Sequence, residues 1–95
     1  MVDGAFIKKN IVYLFEIKYL KGEKLPIKTM QNIHNMIEEV KHIKDRKIKL
    51  MFVIVHKSGF GEKIQKQLYA NFEPGSSIFQ FKFYCDDKLK KHYGI

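Results

Sequence analysis

Two carboxylates and an ammonium near the start of the chain, Asp3, Glu16 and Lys18, have the types and spacing best suited to chemistry. Glu16 and Lys18 interrupt the otherwise apolar run Ile11-Val12-Tyr13-Leu14-Phe15-Glu16-Ile17. Residues two apart on a strand share a face, so this carboxylate and this ammonium project together from one side of a sheet. A strand so apolar is expected to be buried on both faces. A buried ion costs several kcal/mol unless it is paired or bound to a metal. Two carboxylates are hard oxygen ligands for Mg²⁺ or Mn²⁺, ions that keep several waters of their own. Such a metal would neutralise charge developing on a phosphate and acidify a bound water, which a neighbouring lysine could orient. The backbone carbonyl of Ile17 is a candidate third ligand. The expected chemistry is metal-assisted hydrolysis of a phosphodiester.

The elements that must position these groups are legible from pattern. Val2 to Ile7 reads as a strand, Lys8-Lys9-Asn10 as a tight turn and Ile11 to Tyr19 as a second strand, together a β-hairpin. With Lys9-Asn10 as the loop, Lys8 pairs with Ile11 and Asp3 falls opposite Glu16; a three-residue loop moves Asp3 next to Phe15. Either register brings Asp3 to the strand end that carries Glu16 and Lys18. Lys21-Gly22-Glu23-Lys24 is a polar loop, and Pro26 opens a helix near its first turn. Met30, Ile33, Ile37, Val40 and Ile43 recur at helical spacing through Lys44, opposite Gln31, Asn32, Asn35, Glu38, Glu39 and Lys41. Asp45-Arg46-Lys47 is a turn before a strand over Ile48 to His56, whose centre is continuously apolar. Ser58-Gly59-Phe60-Gly61 leads into a helix from Glu62 to about Asn71, with Ile64, Leu68 and Phe72 as its apolar stripe. After the turn Glu73-Pro74-Gly75-Ser76, Ser77 to Tyr84 alternates as a strand near the sheet edge. Asp86 or Asp87 can cap a last helix through Tyr93. The expected order is ββαβαβα: an α/β fold whose mixed sheet has an N-terminal hairpin, then parallel strands, flanked by helices.

Asp on one strand, Glu-x-Lys on the next, and then helix and strand is an order that resembles the PD-(D/E)xK, or restriction-endonuclease-like, nuclease superfamily. Val2-Asp3-Gly4, the hairpin, Glu16-Ile17-Lys18 and the helix-strand sequel match in order. Val55-His56-Lys57-Ser58-Gly59-Phe60 is similar to an element of endonuclease-like domains fused to AAA-type ATPases. The resemblance implies catalysis by Asp3, Glu16 and Lys18, with metal held by Asp3, Glu16 and the Ile17 carbonyl. Gln31 matches the glutamine that some members carry on the next helix, although Asn35 stands where those members have tyrosine. The family helix before the hairpin has no counterpart here, and Val2 replaces the usual proline. That departure suits a domain excised from a larger protein, such as an ATPase or a defence protein. It also leaves open a non-catalytic nucleic-acid-binding or protein-interaction module of the same fold. Small nucleases of this kind often act as homodimers.

The remaining composition sets bounds. Ninety-five residues make one domain, 1–95, long enough for a single core. The net charge is +8, carried almost wholly by lysine, with Arg46 the sole arginine. Lysines contact phosphates without reading bases, so the expected partner is nucleic acid, DNA in the first instance, engaged with low sequence specificity. Lys21, Lys24, Lys28 and Lys57 are the candidate phosphate contacts. The single cysteine, Cys85, excludes a disulfide framework and points to a reducing cytoplasm. No apolar run approaches the length of a membrane span, so no membrane partner is expected. His34, His42, His56 and His92 lack zinc-ligand spacing. Ser58-Gly59-Phe60-Gly61 lacks the full phosphate-loop pattern and reads as a helix-entry turn. Tyr69, Tyr84 and the phenylalanines read as core rather than as platforms for bases.

Overall fold

A computed structural model describes residues 2–86. Its element order is β1 (Gly4–Lys8), β2 (Ile11–Leu20), α1 (Ile27–Lys41), β3 (Lys47–His56), α2 (Gly61–Asn71) and β4 (Phe79–Cys85). The final helix expected through Tyr93 lies outside the described residues.

The hairpin is closed by two residues. Lys8 pairs with Ile11, and Lys9 and Asn10 both take positive φ, 52° and 67°. A two-residue turn with both centres left-handed matches the right-handed twist of its strands. The first of the two expected registers is therefore the one adopted, and β1 runs antiparallel to β2 from Lys8↔Ile11 to Gly4↔Phe15. The β2–β3 and β3–β4 pairs are parallel, in a four-stranded sheet of order β1-β2-β3-β4.

Each parallel pair is joined by a crossover helix, and such crossovers are right-handed. Because β2, β3 and β4 step across the sheet in one direction, both helices land on the same face. Leu50, Phe52 and Ile54 of β3 are buried there with Ile33 and Ile37 of α1, Ile64 and Leu68 of α2, and Phe81 of β4. The aromatic side of this core is linked by Phe52–Phe81 stacking at 5.4 Å and by Tyr69 packing edge-on to Phe81 and Phe83. Pro26 sits at the N-cap of α1, and the helix stops at Lys41 rather than Lys44. Ile43 lies beyond its end and is exposed, while Met36, absent from the expected stripe, packs against the core.

Burial of β2 on both faces does not hold. The opposite face presents Phe6, Tyr13, Phe15, Ile17 and Tyr19, with Tyr19 72% and Ile17 39% exposed. Tyr84, expected in the core, is 45% exposed on the same face. The reason is topological: with both crossovers on one side, no described helix covers the other. The apolar character of β2 reflects its inner position and its aromatic cross-strand contacts, not double burial.

Candidate active site

β1 ends at Gly4, opposite Phe15, so β2 runs on past it from Glu16 to Leu20 with an open edge. The backbone N–H of Asp3 donates to the Phe15 carbonyl at 2.8 Å, so Asp3 joins Gly4 opposite Phe15, as in a β-bulge, rather than standing opposite Glu16 as expected. The Asp3 side chain then closes the edge: the Ile17 N–H donates to Asp3 Oδ2 at 2.6 Å. Both backbone groups of a strand residue point to the same edge, so the Ile17 carbonyl also points to this side, past the end of β1. Asp3 itself is exposed, because neither helix reaches over β1.

Glu16 and Lys18 follow the period of two onto the helix-covered face, in line with Leu14 and Leu20. Their side chains are 13% and 18% exposed, and Lys18 Nζ lies 3.2 Å from Glu16 Oε1. The second carboxylate oxygen, Glu16 Oε2, is buried with no hydrogen-bond partner among the described residues. An unmade hydrogen bond to a buried charged oxygen is costly, and such groups are rare in folded proteins. Parallel pairing with β3 fixes the backbone beneath this pair, Glu16 against Phe52 and Lys18 against Ile54.

The sheet thus gathers Asp3, Glu16, Ile17 and Lys18 at one strand end. Gln31 is not part of that cluster. It is exposed on the side of α1 that turns toward α2, where it lines a shallow cavity with Ile27, His34, Asn71 and Phe72. The lysines divide. Lys21 and Lys57 are exposed just beyond the last rung of the β2–β3 pair, Leu20↔His56, at the same end of the sheet as Lys18. Lys28 is exposed on the first turn of α1. Lys24 lies toward α2, in a cleft with Lys63, Lys66 and Gln67.

That displacement comes from contacts that pattern alone did not reveal. Gln67 Nε2 donates to the Glu23 carbonyl at 2.7 Å, its Oε1 accepts from the Leu25 N–H at 2.8 Å, and Lys63 pairs with Glu23 at 2.7 Å. These bonds anchor the loop after β2 to α2 and so fix the chain leaving the site. The polar character of Gln67 on the flank of an apolar helix stripe was the one available signal. Ser58-Gly59-Phe60-Gly61 forms the helix entry expected of it: Gly59 takes φ +85°, and Gly61 lies so close to the His56 ring that a Cβ there would meet Cε1 at 2.6 Å.

Among the described residues no group of three or more His, Cys, Asp or Glu side chains is placed to hold a metal ion, and no helix is long and apolar enough to cross a membrane. Oxygen donors at the strand end number two carboxylates and a carbonyl, a set that suits a hard divalent cation retaining waters and does not suit zinc. The unpartnered Glu16 Oε2 is the donor in this set that most lacks a partner. Comparison with known proteins adds no relative: no family model, no curated protein and no solved structure matches the chain.

Proposed function

We propose that the chain is a restriction-endonuclease-like domain that hydrolyses phosphodiester bonds of nucleic acid, DNA in the first instance, with Mg²⁺ or Mn²⁺. The observation that carries this reading is the buried, unpartnered Glu16 Oε2 at the strand end where Asp3 is tied to the Ile17 N–H. Asp3, Glu16 and the Ile17 carbonyl would hold the cation. When bound it would supply Lewis-acid neutralisation of the scissile phosphate and a water of lowered pKa. Lys18, held 3.2 Å from Glu16, would orient the attacking water and offset the negative charge that builds on the phosphoryl oxygens. Lys21 and Lys57, at the same sheet end, would contact flanking phosphates. The hairpin followed by two parallel crossovers is compatible with this fold family.

A second reading rests on the same pair. Glu16 and Lys18 partly satisfy each other, as they would in a non-catalytic module of the same fold. Cleavage of supercoiled plasmid and of single-stranded DNA in Mg²⁺ or Mn²⁺ separates the two, comparing wild type with Glu16→Ala and Lys18→Ala. Metal-dependent nicking lost in both variants is the expected result. Absence of cleavage by folded wild-type protein with either metal refutes the nuclease.

A further inference from the structure

The sheet face turned away from the helices carries a regular array that the hydrolytic site does not use. Alternation places Phe6 and Lys8 of β1, Tyr13, Phe15, Ile17 and Tyr19 of β2, Lys47, Lys49 and Met51 of β3, and Lys82 and Tyr84 of β4 on this face. Phe6 stacks on Tyr13 at 4.8 Å and on Phe15 at 5.4 Å, which makes a contiguous aromatic surface rather than scattered rings. Phe6 remains 45% exposed, Tyr84 45% and Tyr19 72%. No acidic residue occupies any described strand position on this face, whereas lysine occupies four: Lys8, Lys47, Lys49 and Lys82. Where β3 begins, the face runs into a cavity of about 530 Å³ whose lining includes Tyr13, Lys41, Arg46, Lys47 and Lys49 and again no carboxylate.

We infer that this face binds single-stranded nucleic acid, its bases stacked on the tyrosines and Phe6 and its phosphates on Lys8, Lys47, Lys49 and Lys82. Exposed rings offer a π surface to any base, and lysines interleaved among them follow a phosphate backbone; this pairing of features is how sequence-tolerant single-strand binders work. A duplex keeps its bases stacked inside and can use only the lysines. A second copy of the chain is the wrong occupant on charge: two such faces pressed together would set like charges against each other, with no carboxylate at any described strand position of the face to answer them. The binding face is separate from the Glu16–Lys18 pair, which belongs to the other side of the sheet, while Asp3 lies at the sheet edge. It therefore stands or falls independently of the nuclease reading.

The test is fluorescence anisotropy of a labelled oligothymidylate and of a duplex of equal length, in EDTA so that no hydrolysis intervenes. Wild type is compared with Tyr19→Ala/Tyr84→Ala, Tyr19→Trp, Lys49→Gln/Lys82→Gln and Glu16→Ala. The single strand is expected to bind more tightly than the duplex, and loss of the two tyrosines to weaken it by about 5-fold or more per lost stack. Tyr19→Trp should preserve affinity. Removal of two lysines should flatten the slope of log K against log salt by about 1.4, at roughly 0.7 per phosphate contact on a single strand. Glu16→Ala should bind as wild type does. Both tyrosines are exposed, so their truncation leaves the core intact, and circular dichroism checks this. Equal or tighter binding of duplex would overturn the inference, as would indifference to the tyrosines, dependence on Glu16, or no binding at low salt. Sedimentation showing a dimer that Tyr19→Ala/Tyr84→Ala dissolves would give the face to a second copy instead.

Discussion

Replacing Glu16 and Lys18 together by apolar residues of similar size, Glu16→Leu/Lys18→Met, is expected to stabilise the metal-free domain while abolishing the proposed hydrolysis. The two side chains are 13% and 18% exposed, and only one carboxylate oxygen is paired, at 3.2 Å. Exchange of a buried ion pair for well-packed apolar groups is commonly neutral or stabilising by about 1 to 4 kcal/mol. Residual exposure leaves both ions partly hydrated, which puts the expected gain at the low end, about 1 kcal/mol. For a domain of this size that gain raises Tm by about 4 to 8 °C. The single variants should move the other way. Lys18→Met strands the Glu16 carboxylate with both oxygens unpaired, for a loss of about 2 to 3 kcal/mol. Glu16→Leu strands an ammonium that can reach toward water along its flexible stem, for a loss of about 1 kcal/mol. Thermal and urea unfolding in EDTA, followed by circular dichroism, gives all four values. Mn²⁺ at ten times its Kd should then stabilise the wild type by about 1.4 kcal/mol and leave the double variant unmoved. A double variant less stable than wild type by about 1 kcal/mol or more would rule out a pair retained for function. The pair would then be a structural ion pair whose unpartnered oxygen is tolerated, not a site kept at the expense of stability.

Three further outcomes follow from local geometry. Asp3→Asn keeps an oxygen for the Ile17 N–H and should leave Tm nearly unchanged while removing Mn²⁺ stabilisation, whereas Asp3→Ala also loses the 2.6 Å bond and about 1 kcal/mol, both read by thermal melts with and without Mn²⁺. Lys9→Asn/Asn10→Gly supplies residues suited to the positive φ of 52° and 67° and should stabilise by about 1 kcal/mol in urea unfolding. Gly61→Ala drives a methyl to 2.6 Å from His56 Cε1 and should cost about 1 kcal/mol after its helix-propensity gain; in a His56→Ala background the sign should reverse, which a double-mutant cycle measures.

The order of elements was legible because each announces itself locally. Ile33 and Ile37, and Ile64 and Leu68, mark helix faces at their period, and all four are buried as that period requires. Lys9-Asn10 limited the hairpin to two registers, and the left-handed conformation of both residues goes with the one that pairs Lys8 with Ile11. What pattern could not supply was anything depending on which side of the sheet a helix crosses. Tyr84 and Phe6 look like core residues by type, and they are exposed only because α1 and α2 share one face. Gln67 looks like a solvent residue of a helix, yet it holds the loop at Glu23 and Leu25 through contacts more than forty positions apart.

That asymmetry of the sheet also separates two sets of side chains which the lysine-rich composition blurs. A net charge of +8 by itself identifies no surface. Once both helices are placed on one side, the same strand β2 directs Glu16 and Lys18 under the helices and Tyr13, Phe15 and Tyr19 away from them. Adjacent residues thereby reach opposite faces within one rise of about 3.3 Å. The edge left open past Gly4 is where both faces of β2 can be approached, and Asp3 sits there, tied to the Ile17 N–H. A strand lying across the aromatic face and leaving over that edge would bring its phosphates past Asp3 toward the proposed site. Binding without cleavage in Glu16→Ala, and cleavage of single strands weakened in Tyr19→Ala/Tyr84→Ala while Mn²⁺ stabilisation is unchanged, is the pair of results this arrangement requires. Cleavage indifferent to both tyrosines would mean that the two faces work apart.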